Sequence, residues 1–177
     1  MYFVIQVISG KESSIIDILN RKLSKDLFFE CFFPQRMRMK KFNGGWEKVI
    51  ERYFPGYIFI DTDNPKILYS ELRTIGEFTK LLGKQENENF LPLSEEESRI
   101  IDSLMGKETN RITDISYIDI NENDEVQVVE GPLLGFEGKI KKINLHKRTA
   151  TILLDMCGRE VETILGIEFI EKRKTCQ

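Results

Sequence analysis

The sequence predicts an α+β fold: an N-terminal α/β sandwich domain with an antiparallel sheet over residues 1–106, a linker over 107–120, and a small five-stranded β-barrel over 121–177. Three observations predict it. Up to Gly106, apolar strand-like runs alternate with segments whose apolar residues recur every three or four positions. Beyond Asn121 there are only short alternating strands at even spacing, the signature of a small antiparallel barrel. Between them, residues 107–120 are polar and then only moderately apolar, as a solvated connection is.

Each element follows from its local chemistry. Tyr2 to Ile8 is a continuous apolar run closed by Ser9-Gly10, a buried strand. Ile15, Ile18, Leu19 and Leu23 then share one face of a helix that starts at Lys11 and ends near Asp26. Phe28 to Met37 is extended, with Pro34 marking an edge or bulge. Asn43-Gly44-Gly45 forms a hairpin turn before the returning strand Lys48 to Tyr53. Tyr57 to Ile60 is a buried strand, Lys66 to Arg73 a short helix after a capping break at residues 61–65, and Phe78 to Leu82 a short strand. Ser94 and Glu97 make a capping box for a helix through Ile100, Ile101 and Leu104. The barrel strands fall at Val126–Val129, Glu137–Ile143, Thr149–Leu154, Arg159–Ile164 and Ile167–Ile170.

Composition narrows the function. Hydrophobic residues at 41% and charged residues at 31% describe a globular chain, not a disordered one. No apolar run approaches the roughly 20 residues of a membrane span, and the N-terminus reads as a strand, not a signal peptide. Three cysteines without a CxxC and a single histidine support neither a disulfide framework nor a zinc site. A reducing cytoplasm is the expected compartment, with no membrane partner and no cofactor. The net charge of −3 hides an asymmetry: residues 1–84 carry 14 Lys/Arg against 10 Asp/Glu, residues 85–125 carry 3 against 12, and residues 126–177 carry 9 against 7. His146 has no nucleophile beside it, Cys31 and Cys157 lie in apolar strand contexts, and the acidic clusters read as capping and solvation. No enzyme is expected.

The order of motifs resembles the NusG family over almost the whole chain. Phe54-Pro55-Gly56-Tyr57-Ile58-Phe59 matches a strand of the family's N-terminal domain. Val126 to Ile152, with Gly131-Pro132, Phe136 and Gly138, matches its KOW barrel, and Cys157-Gly158-Arg159-Glu160 partly matches the turn that follows. The chain opens Tyr2-Phe3 where members commonly have Trp-Tyr. It shortens the family's Arg-Asn-Thr-Pro-Gly-Val segment to Arg73-Thr74-Ile75-Gly76-Glu77-Phe78, near the non-template DNA strand in housekeeping members. These departures make it similar to specialised paralogs such as LoaP and RfaH, and closer to LoaP because the C-terminal part reads as β throughout.

The resemblance implies a processive elongation or antitermination factor. Tyr2, Phe3, Phe54, Tyr57 and Phe59 would form an apolar patch for the clamp helices of RNA polymerase. The same aromatics would equally suit the core of a central strand. Lys11, Arg21, Lys22, Arg73, Lys80 and Lys84 would face DNA phosphates, the non-template strand among them, or merely solvent. Lys139, Lys141, Lys142, His146, Lys147, Arg148 and Arg159 would bind nascent RNA, or simply keep a strand face soluble. With only Phe136 placed for stacking, a structured hairpin is expected over an unpaired strand. The rival readings are a housekeeping member whose barrel binds Rho or a small-subunit ribosomal protein, and a free-standing KOW RNA-binding protein.

Overall fold

A computed structural model of the chain describes residues 1–75, 90–123, 125–156 and 158–170. The N-terminal half runs β1 (Tyr2–Gln6), α1 (Glu12–Lys22), β2 (Glu30–Phe32), β3 (Gln35–Phe42), β4 (Gly45–Arg52), β5 (Tyr57–Asp61), α2 (Pro65–Thr74), β6 (Phe90–Pro92) and α3 (Glu95–Leu104). The expected strand at Phe78–Leu82 lies outside the described residues. β2, β5, β1 and β6 form one antiparallel sheet in that order. Strand alternation divides its side chains cleanly. Ile5, Ile58 and Ile60 pack under α1 and α2 with Ile15, Leu19, Leu68 and Leu72. Tyr2, Val4 and Phe59 face the other way, toward Ile101, Leu104 and Met105 at α3.

The local signals hold where they are chemical. Ser94 Oγ accepts the Glu97 N–H at 3.1 Å while the Glu97 carboxylate accepts the Ser94 N–H at 2.7 Å, closing the capping box. Asn43 and Gly44 make the two-residue turn between β3 and β4, whose ribbon stands apart from the main sheet. Asn64 caps α2 by position but gives no side-chain hydrogen bond; Thr62 takes its backbone N–H at 2.9 Å instead.

The C-terminal half departs from expectation in three places. Residues 107–120, expected as a linker, contain a 3₁₀ turn, β7 (Ile112–Thr113) and β8 (Ser116–Ile120). β7 pairs in parallel with β3, and β8 is a barrel strand between its neighbours β9 (Val126–Glu130) and β12 (Arg159–Phe169). Alternation was hidden there because the inward positions include Thr113 and Ser116, both fully buried; Ser116 Oγ is satisfied by the Leu133 N–H at 2.9 Å. Second, Arg159–Ile164 and Ile167–Ile170 are not two strands: residues 159–169 run as one. Third, Glu137–Lys139 is a 3₁₀ turn that precedes β10 (Ile140–Asn144). With β11 (Thr149–Met156), five strands remain, in the order β10-β11-β12-β8-β9.

The two halves share one interior. A single apolar cluster runs from Tyr2, Val4, Phe32 and Phe59 through Leu93, Ile101 and Leu104 to Ile118, Leu133, Ile152 and Leu165 inside the barrel. β12 lies against the ribbon: Arg36 Nη1 donates to the Ile164 carbonyl at 2.7 Å. Gly166 makes a close backbone approach, because a Cβ there would sit 2.6 Å from the Met37 carbonyl oxygen and 3.1 Å from Arg38 Cα, both backbone atoms. Even one methyl group must therefore push the barrel from the ribbon. Gly166→Ala should enlarge the radius of gyration in small-angle X-ray scattering while the circular dichroism spectrum stays the same. An unchanged scattering curve would mean that the seam yields without opening.

Candidate partner and nucleic-acid surfaces

The Phe54–Phe59 segment is held from below by a buried carboxylate. Glu12, fully buried in the first turn of α1, accepts the Gly56 N–H at 2.7 Å, the Gly10 N–H at 2.9 Å and Arg52 Nε at 2.9 Å. Gly56 adopts φ +84°, and a Cβ would lie 3.1 Å from the Val7 carbonyl oxygen, so only glycine suits this turn. Burial alone would raise the Glu12 carboxyl. Hydrogen bonds from the backbone of Gly56, Glu12 and Gly10, joined by the Arg52 charge, hold it below its ordinary range instead.

The five expected patch aromatics do not form an exposed patch in this arrangement. Phe59 is 1% exposed, stacked on Phe32 with ring centres 5.5 Å apart. Tyr2 is 5% exposed, edge-on to Phe32 at 5.9 Å; its hydroxyl donates to Asp102 at 2.8 Å and accepts from Arg111 Nη2 at 2.6 Å. Burial, then the Asp102 hydrogen bond, push that phenol up to about 12. Phe3 is also buried, and by alternation it shares the face of Ile5 beneath the helices, opposite to Tyr2. Only Phe54, stacked on Tyr53 at 4.4 Å, and Tyr57 are partly exposed. The physical reason is that α3 and the docked barrel already cover this face of the sheet.

The basic residues of this half are exposed but scattered. Lys11 caps α1 at one end, and Arg21 and Lys22 close its last turn, about 15 Å along the axis. Arg73 closes α2. At helix C-termini such cations also offset the macrodipole. Lys80 and Lys84 lie outside the described residues. On the barrel, Lys139 is half-buried in its 3₁₀ turn, so it does not share a strand face with Lys141. Lys141 sits at a bulge in β10 and is ion-paired with Glu162. Lys142 is exposed and has no ion pair among the described residues. His146 and Lys147 are exposed in the turn before β11. Arg148 is ion-paired with Glu168, and its guanidinium lies 4.4 Å from the centre of the Trp46 ring on the ribbon. Arg159 stands at the opposite end of the β11–β12 pair. The structure thus gathers Lys142, His146, Lys147 and Arg148 and leaves Arg159 and Lys139 apart.

Residues 1–102 match the family described as transcription termination factor nusG, and residues 122–155 match the KOW motif. The chain belongs to the NusG family. Among curated relatives, the transcription termination/antitermination protein NusG of Helicobacter pylori strain J99 is 26% identical over 176 residues, spanning 97% of each chain. That of Halalkalibacterium halodurans is 28% identical over 178 residues, again spanning 97% of each. A solved Thermotoga maritima NusG, described for its domain interaction, shares the fold with a TM-score of 0.51 at 18% identity, covering 93% of this chain and 92% of that one.

Three structural residues of this NusG-family chain escaped the sequence reading. Glu12 carried only the general signal of an acid in the first turn of a helix, which does not reveal a buried role. Trp46, the only tryptophan, gave no sign of a partner 102 positions away. Arg111 carried no signal at all, yet it joins Tyr2, Glu30 and Asp102. Burial disfavours its charge, but the Glu30 and Asp102 hydrogen bonds more than offset this and raise its pKa. For Glu12 the sign of the pH effect is definite. A carboxyl held below its ordinary 4.5 when folded contributes stability above that pH and loses it as pH falls through the folded value. Urea unfolding followed from about pH 6 to about pH 3 should show wild type weakening with acidity and Glu12→Gln, less stable at the upper end, giving a flatter profile.

Proposed function

We propose that this chain is a transcription elongation or antitermination factor that does no chemistry and acts by binding. Its N-terminal half bridges RNA polymerase at the clamp helices, favouring the elongating state by preferential affinity. Its barrel holds a structured element of the nascent RNA. The observation that carries the reading is the pairing, in order and in one chain, of the Phe54–Phe59 strand with a KOW-matching segment. The departures at Tyr2-Phe3 and at Arg73–Phe78 favour a specialised, LoaP-like role in the cytoplasm. Lys11, Arg21, Lys22 and Arg73 would assist at DNA, the non-template strand included. The generic names of the curated relatives favour a second reading, a housekeeping factor whose barrel binds Rho or a ribosomal protein.

The polymerase contact starts at Phe54 and Tyr57, the partly exposed aromatics, and extends to Phe59 and Tyr2 when the barrel moves away. The docked structure is then a closed state, and opening precedes full engagement. Phe54→Ser/Tyr57→Ser should lose co-purification with core polymerase while remaining folded, and Gly166→Ala should bind more tightly than wild type. A folded double variant that still binds as wild type removes the assignment. For the barrel, anisotropy with a leader-RNA hairpin should fall steeply with salt, and Lys142→Ala should flatten the log–log slope by about one unit. Binding to Rho or a ribosomal protein, with none to RNA at low salt, would favour the housekeeping reading.

A further inference from the structure

The β3–β4 ribbon is a second strongly basic stretch beside that of the barrel. Residues 35–52 hold Arg36, Arg38, Lys40, Lys41, Lys48 and Arg52 against only Glu47 and Glu51. Four of these cations are accounted for. Glu51 lies within ion-pair distance of Arg36, Arg38 and Lys40, and Glu12 takes Arg52. Lys41 and Lys48 remain, both exposed and without an ion pair among the described residues. The register puts them on one face: Lys41 is opposite Trp46, and Lys48 is two positions along the strand from Trp46. Such diagonal neighbours lie about 7–8 Å apart.

That face meets the barrel at one contact, where Arg148 covers one side of the Trp46 ring. The contact holds the turn that carries His146 and Lys147 to the ribbon face of Lys41 and Lys48, and Lys142 stands on β10, the strand that leads into that turn. The neighbouring acids do not cancel the strip. Glu168 is already paired with Arg148, and Glu47 is opposite Lys40 on the other face of the ribbon. Glu130 lines one cleft with Glu168 and Arg148, away from the ribbon residues, none of which lines it. Any single surface made of these cations exists only while the halves are docked.

We propose that Lys41 and Lys48 of the ribbon join Lys142, His146 and Lys147 of the barrel in a composite surface that grips the phosphate backbone of a double-stranded RNA stem across the seam. This rests on the barrel's RNA role argued above and adds a second, N-terminal half to it. The stem is favoured over an unpaired strand because Trp46 is the one aromatic on the ribbon face that carries Lys41 and Lys48, and Arg148 already occupies a side of its ring, leaving backbone contact as the mode of recognition there. A ligand that contacts both halves favours the state in which they meet, so RNA held across the seam and the full polymerase contact at Phe59 and Tyr2 belong to successive states, closed and open.

The test is a salt titration of the full chain on an RNA hairpin by fluorescence anisotropy, with a DNA duplex of the same sequence in parallel. Lys41→Gln/Lys48→Gln removes two exposed charges outside both apolar cores, and circular dichroism verifies that it folds. It should weaken hairpin binding and flatten the log–log salt slope by about two units. Trp46→Ala, with every lysine intact, should also weaken binding by releasing the turn from the ribbon. If the ribbon variant matches wild type while Lys142→Ala is weakened, the composite surface is wrong and the barrel reading stands. If wild type shows no salt-dependent binding to the hairpin, both fall. If the DNA duplex binds as tightly and with the same dependence on Lys41 and Lys48, the assignment to an RNA stem is overturned.

Discussion

One charge that scarcely reaches water organises the junction between the two halves. Arg111 is 3% exposed, yet its guanidinium is held by Glu30 at 2.5 Å, Asp102 at 2.8 Å, the Tyr2 hydroxyl at 2.6 Å and the Met105 carbonyl at 3.0 Å, and lies over the Phe32 ring at 4.3 Å. Burying such a charge is costly unless nearly every donor finds an acceptor, and here they come from β1, β2 and α3 together. The consequence is directional. With Arg111 fixed, the chain leaves α3 along one path, pairs β7 with β3 at the next residue, and enters the barrel at Ser116 already against the sheet.

Docking then follows from the sheet's need for a cover. A four-stranded sheet with helices on one face leaves an apolar face that solvent would not tolerate. α3 covers part, and the barrel covers more, so that the core passes without a break from Phe59 to Leu165. The apolar surface through which the factor is proposed to meet the polymerase is the same surface that closes the molecule. Partner binding and domain docking thereby become competing uses of one face, and the balance between them sets how much of the protein is competent to bind.

Charge follows a similar logic. Counting cations on the barrel overstates its basic surface, because Lys141 and Arg148 are already engaged by Glu162 and Glu168. Counting them on the ribbon understates it, since the relevant cations acquire neighbours only across the seam. What a polyanion would meet is the residue after internal pairing is subtracted, and that subtraction is a tertiary property.

The sequence by itself determined whatever depends on neighbours a few positions away. The Ser94–Glu97 capping box, the Asn43–Gly44 turn, the helical face of Ile15 and Leu19, and the division of Ile58 and Ile60 from Tyr57 and Phe59 are all set by short-range geometry. The barrel was legible as five strands, although β8 replaced one of those expected, because its inward position Ser116 is polar yet buried and masked the alternation. Only the tertiary structure decided that Tyr2 and Phe59 are covered, that Arg111 is a hub, and that Arg148 of the barrel lies over Trp46 of the ribbon. Those facts rest on residues brought together from far along the chain, and burial and pairing depend on who the neighbours are, which no local pattern encodes.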